Sequence, residues 1–149
     1  MVPLLRAHLS VPVLLICLCY TLTSPLRRAF LGPPHPQVVG ETSDHDIDLS
    51  DLDARLSRLG DRAALVSVTH VPTSSGRVYD AAGVGRVTRA HGMPYLLDAC
   101  QSVGQMPIDV AEIGCDFLTG TSRKYLRGPR CAWVYPRQRW ADVSLQHAQ

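Results

Sequence analysis

Lysine is almost missing from this chain. Of its fifteen basic residues only Lys124 is a lysine, and all the others are arginines. Arginine keeps its proton at any ordinary pH, whereas an amine can shed its own and attack a carbonyl. Any imine formed on a side chain would therefore fall to Lys124. Aromatic residues are also scarce, at 6%. No aromatic-rich recognition motif accompanies the cations between Arg123 and Arg139, and a net charge of +2 gives no general attraction to nucleic acid. The five cysteines, Cys17, Cys19, Cys100, Cys115 and Cys131, include no CxxC pair. Their odd number and spacing exclude a complete disulfide framework and offer no metal site of the zinc type. Cys100, Cys115 and Cys131 lie in or beside apolar runs, where a thiol reads as a small buried hydrophobe, reduced, in a cytoplasmic protein. Finally, no apolar run reaches the roughly 20 residues of a membrane-spanning helix.

What is present fits one globular domain: 149 residues, 46% of them hydrophobic, with a mean hydropathy of +0.02. The most apolar stretch is residues 9–22, preceded by Arg6 and followed by Arg27 and Arg28. Three readings of it stand: a signal or membrane anchor, a buried strand or helix of the domain, or non-native translation. The stretch Gly32-Pro33-Pro34-His35-Pro36 is stiff and cannot continue a helix, which sets a boundary near residue 36.

Beyond that boundary the pattern becomes regular. Val38-Val39 reads as a short strand. Residues 48–60 read as an amphipathic helix with Leu49, Leu52, Leu56 and Leu59 on one face, opened by acids, closed by arginines and stopped by Gly60. Ala63–His70 reads as a strand covered on both faces. Residues 77–91 read as a helix with Val78, Ala82 and Ala90 inward, weakened by Gly83 and Gly85. Tyr95–Asp98 is a short strand ending in a carboxylate. A shorter helix is predicted over 109–113, with strands over Cys115–Thr119 and Cys131–Tyr135. Strand and helix alternating in this rhythm predict an α/β fold with a mostly parallel sheet and flanking helices. Ligands of such sheets gather at the carboxyl ends of the strands. His70 with its Thr/Ser loop, Asp98 with Gln101, and Thr121–Lys124 all fall at such ends.

Pyridoxal phosphate asks a protein for an amine to meet its aldehyde and a carboxylate for its ring nitrogen. It also asks for donors to its phenolic oxygen and phosphate. Lys124, Asp98, Gln101, Thr121 and Arg123 are residues of the right types. The sequence here resembles the class V aminotransferase family of fold-type I pyridoxal phosphate enzymes. The resemblance runs through Ser67–Thr73, Leu96–Gly104, Asp116–Lys124 and Arg127–Arg130, in family order, over about residues 37–136. The longer spacing from Lys124 to Gly128 looks more like isopenicillin N epimerase relatives than cysteine desulfurases. The resemblance implies that Lys124 carries the imine and moves protons, that Asp98 pairs with the ring nitrogen, and that Gln101 bonds the phenolic oxygen. It implies further that Thr121 and Arg123 serve the phosphate, that Thr73 faces cofactor or substrate, and that His70 is structural. The implied substrate is an amino acid or amine, and the implied assembly a homodimer.

The sequence also departs from the family. Residues 1–36 match none of it, residues 37–140 correspond to part of its large domain, and 141–149 form a tail. Cys131 and Ala132 stand where relatives carry glycine, which predicts crowding at a backbone position suited to positive φ. The abrupt onset of the match leads to the expectation of a truncated or frame-disrupted member. The alternative is an inactive remnant or interaction partner, with export or membrane association through residues 9–22. A parallel sheet wants both faces covered, and only about three helices are available for it.

Overall fold

The computed structural model describes residues 36–138 and, of the segment before them, the backbone of Leu14–Ile16. The first four residues of the Gly/Pro linker, Cys17, Cys19 and the tail from 141 lie outside the described residues.

Helix α1 spans Leu49–Leu59. The Asp48 carboxylate caps it by accepting from the N–H groups of Ser50 and Asp51, donors that the first turn leaves without helical partners. Asp51 is itself held below the ordinary carboxylate range, first by its hydrogen bond from Arg55 and then by the Gly40 N–H. The chain leaves the helix at Gly60, where φ is +50°. A 3-10 turn over Gly60–Arg62 leads to strand β2, Val66–Thr69. Helix α2 spans Ala81–Ala90, capped by Asp80 on the Gly83 N–H. Strand β3 is Tyr95–Asp98, helix α3 Val110–Ile113, β4 Phe117–Thr121 and β5 Ala132–Pro136. With β1 as Leu14–Ile16, the sheet order is β1-β2-β3-β4-β5. The first four strands run parallel and β5 antiparallel to β4. The fold is therefore α/β with a mostly parallel sheet. Leu14–Ile16 falls in the middle of the apolar segment and pairs with Val66–Val68 as a strand.

Pleating assigns the faces. Val66, Val68, Tyr95, Leu97 and Leu118 share one face in register and form one core cluster with Leu52, Leu56 and Leu59 of α1, Val84 of α2 and Ile113 of α3. All three helices thus contribute to the same side. Thr69, Asp98 and Thr119 share the other face, and none of them belongs to that cluster.

Several local expectations change. No strand forms over 38–39: Val39 is buried but Val38 is 70% exposed, because the segment enters a turn closed by a bridge between Glu41 and Ile47. In α2 the inward residues are Ala81, Gly83, Val84, Gly85 and Thr88. Val78 precedes the helix and is exposed, as is Ala90. The two glycines are packing positions rather than weak points. A Cβ on Gly85 would run into the Ile113 carbonyl oxygen, and one on Gly83 into the capping Asp80 carboxylate. Of the three described cysteines only Cys115 is fully buried; Cys100 is half-buried and Cys131 exposed.

Candidate functional site

Because β2, β3 and β4 run parallel, their last residues Thr69, Asp98 and Thr121 emerge at one edge, and the loops that follow meet there. The ladder continues a step past the strands. The His70 N–H donates to the Asp98 carbonyl at 2.9 Å, and the Ala99 N–H to the Thr119 carbonyl at 2.9 Å. The Asp98 side chain turns back on its own loop. Its Oδ1 accepts from the Cys100 N–H at 3.0 Å and from the Thr119 hydroxyl at 3.2 Å. Across the next loop, Gln101 Nε2 donates to Thr73 Oγ1 at 2.9 Å.

Beneath these contacts lies a buried pair. His70 Nδ1 is 3.0 Å from Ser102 Oγ, and the Ser102 hydroxyl donates to the Ala99 carbonyl at 3.3 Å. A hydroxyl has one proton to give, so Nδ1 is assigned as the protonated nitrogen, donating to Ser102. Burial lowers the pKa of this histidine, which favours the neutral ring. His70 thus ties the loop carrying Thr73 to the loop carrying Gln101.

The loop after β4 is braced by its own hydrogen bonds and packs through Tyr125 and Leu126 on Gly104 of the loop after β3. The Thr121 hydroxyl and the Ser122 N–H both donate to the Cys131 carbonyl, each at 3.0 Å. The Gly128 N–H returns to the Ser122 carbonyl at 2.8 Å, and the Arg127 N–H to the Lys124 carbonyl at 3.2 Å. The Ser122 hydroxyl also donates to the Pro129 carbonyl. The left-handed residue of this loop is Arg127, at φ +54°. Cys131 and Ala132 do not have positive φ, so the missing glycines leave no strain of that kind. Lys124 is half-buried and Arg123 exposed, and neither enters an ion pair among the described residues.

The Cys100 thiol reports how these parts lie together. Its pKa is pushed up to about 11, first by burial, then by hydrogen bonding with Asp98 and by that carboxylate's charge. The charge of Lys124 works in the opposite direction on the same thiol. The charge of Lys124 is thus felt at Cys100, two residues after Asp98.

Of the residues singled out from sequence, Thr73 and Gln101 touch, and Asp98 sits at the same edge, where the charge of Lys124 is felt at Cys100. Thr121 is buried and its proton is committed to a backbone carbonyl, while Arg123 points to no described partner. Thr119, Cys100 and Ser102 belong to the constellation and were not singled out. For Thr119 a signal existed, since it is the polar residue that strand alternation places on the face of Thr121. Among the described residues no group of histidines, cysteines and carboxylates could hold a metal ion. A pocket of about 320 Å³ lined by Leu56, Ala63, His91, Met93 and Pro94 lies at the opposite, amino edge of the sheet.

Comparison with known proteins bears on the family and the fold. A family model described as aminotransferase class-V matches residues 37–134. Cysteine desulfurase IscS of Enterobacter sp. (strain 638) is 40% identical over 84 residues, 56% of this chain and 20% of that protein. The uncharacterized aminotransferase YcbU of Bacillus subtilis is 38% identical over 88 residues, 58% of this chain and 24% of that protein. Among solved structures, the apo cysteine desulfurase of Thermococcus onnurineus NA1 superposes with a TM-score of 0.72 at 23% identity. That superposition covers 91% of this chain and 34% of the desulfurase, and it concerns the fold alone. The matches to the two curated relatives thus span about a fifth to a quarter of those proteins' length. The chain belongs to the class V aminotransferase family.

Proposed function

From membership of the class V aminotransferase family, which works with pyridoxal phosphate, we propose that this chain carries the ring-binding part of a pyridoxal phosphate site and acts on an amino acid or amine. The observation that carries the reading is the arrangement at the carboxyl edge. Asp98 Oδ1 accepts from the Cys100 N–H and the Thr119 hydroxyl, the Cys100 thiol also bonds this carboxylate, and the charge of Lys124 is felt at that thiol. These residues fit the ring end of the cofactor. A carboxylate suits a protonated ring nitrogen, and a primary amine that enters no ion pair among the described residues suits an aldehyde.

In this reading the bound cofactor supplies an electron-withdrawing ring that stabilises a carbanion at the substrate's α-carbon. Asp98 holds the ring nitrogen protonated. Lys124 is the attachment point and carries a proton to and from the α-carbon. The Gln101 amide, which donates to Thr73, is the group proposed to bond the phenolic oxygen. Arg123, which enters no ion pair among the described residues, is the cation proposed for the phosphate, with Thr121 beside it. The assembly proposed is a homodimer. No helix among the described residues is long and apolar enough to cross a membrane.

The scarcity of lysine makes the test unambiguous. The purified chain is incubated with pyridoxal phosphate, reduced with borohydride and mapped by peptide mass spectrometry. A stable adduct is expected on the peptide containing Lys124 and is expected to vanish in Lys124→Ala. Modification confined to the N-terminal amine would refute the reading.

A further inference from the structure

The Asp98 carboxylate is held in a way that neither family membership nor the roles assigned above require. Residues 98–100 and Thr119 are joined three times: by the Ala99 N–H on the Thr119 carbonyl, by strand register, in which Asp98 and Thr119 are direct partners, and by the Thr119 hydroxyl on Asp98 Oδ1 at 3.2 Å. The Cys100 N–H takes the same oxygen at 3.0 Å. Both of these donors converge on Oδ1, and the Cys100 thiol adds a weaker bond to the same carboxylate. A carboxylate turns easily about its last torsion, which is broad and two-fold. Two donors from different segments remove that freedom. Threonine suits the task because its branched Cβ limits rotation about χ1, and strand β4 fixes its backbone.

Resting on the cofactor reading above, we propose that Thr119 is a positioning residue: with the Cys100 N–H it pins Oδ1 of Asp98, so that Oδ2 is the oxygen offered to a heteroaromatic N–H. Thr119 touches no ligand in this scheme; its hydroxyl also meets the Cys100 thiol, and its role in recognition runs through Asp98. Its loss should weaken recognition of the ring nitrogen and leave recognition of the rest of the ring unchanged.

The test compares equilibrium binding of pyridoxal phosphate with that of its 1-deaza analogue, in which carbon replaces the ring nitrogen. The full chain is used as wild type, Thr119→Val, Thr119→Ala and Thr119→Ser. The wild type is expected to prefer pyridoxal phosphate. Thr119→Val is expected to lose about tenfold of that preference, the size of effect associated with one charge-assisted hydrogen bond. Thr119→Ser is expected to keep most of it. Thr119→Ala removes the donor without adding bulk, and it carries the comparison if the valine variant does not fold. Equal weakening of both ligands would show a merely structural residue and overturn the proposal. So would a wild type that binds both equally well. An absence of the Lys124 adduct in the borohydride experiment would refute the site as a whole, whereas an unchanged ligand ratio beside a normal adduct would refute the role of Thr119 alone.

Discussion

Cys100 is the residue whose chemistry reads out the neighbourhood of Lys124. A thiol titrating at about 11 is ionised to about one part in ten thousand at pH 7, and only the thiolate is nucleophilic. Alkylation by iodoacetamide, followed peptide by peptide, should therefore mark the exposed Cys131 well before the half-buried Cys100. The Cys100 rate should climb as pH rises toward 11. Two variants give opposite signs. Asp98→Asn removes an anion that disfavours the thiolate and should speed Cys100 labelling several-fold. Lys124→Ala removes a cation that favours it and should slow labelling. If Cys100 reacts as quickly as Cys131 at pH 7, or if Lys124→Ala leaves its rate unchanged, the amine is not where the proposed site needs it.

Among the elements, α2 separates what sequence shows from what it hides. The α1 leucines announce their own helix by spacing, and Tyr95–Asp98 announces itself as a strand by its apolar run. Gly83 and Gly85 look like helix weakeners, because a sequence does not show what faces a missing side chain. The fold shows it: α2 approaches α3 so closely that a Cβ at position 85 meets the Ile113 carbonyl oxygen. The antiparallel direction of β5 was likewise invisible, since Cys131–Tyr135 carries the same apolar signal either way. At the site, Asp98, Gln101 and Lys124 were legible as residue types at strand ends. The contacts of Asp98 with Thr119 and His70 with Ser102 join residues 21 and 32 positions apart, which no local pattern reveals. The α2–α3 approach is testable. Gly85→Ala should gain about 1 kcal/mol of helix propensity but lose more by forcing α2 away from a backbone carbonyl, since overpacking costs about 1–3 kcal/mol. The expected net result is a lower urea midpoint. A higher midpoint would mean that the helices are not in close contact.

At the scale of the whole molecule, the sheet is finished unevenly. The helices contribute to one core cluster on one side, and β5 closes the strand order as its last member. An edge strand offers unpaired N–H and C=O groups as a template for another chain, a hazard greatest where its side chains are apolar and uncharged. Here Val134 is 57% and Tyr135 41% exposed, on opposite faces of the same strand. Neither a charge nor a bulge interrupts Ala132–Pro136, and only Pro136 at its end resists extension. Self-association of the purified chain through this edge is the expected consequence, visible as light scattering that grows with concentration. Val134→Lys places a charge on the edge without touching the core cluster. It should lower the scattering at equal concentration while leaving the far-ultraviolet circular dichroism unchanged. Scattering that persists in Val134→Lys would move the adhesive surface away from β5, and Tyr125 and Leu126, exposed on the lysine loop, would then be the apolar side chains to charge next.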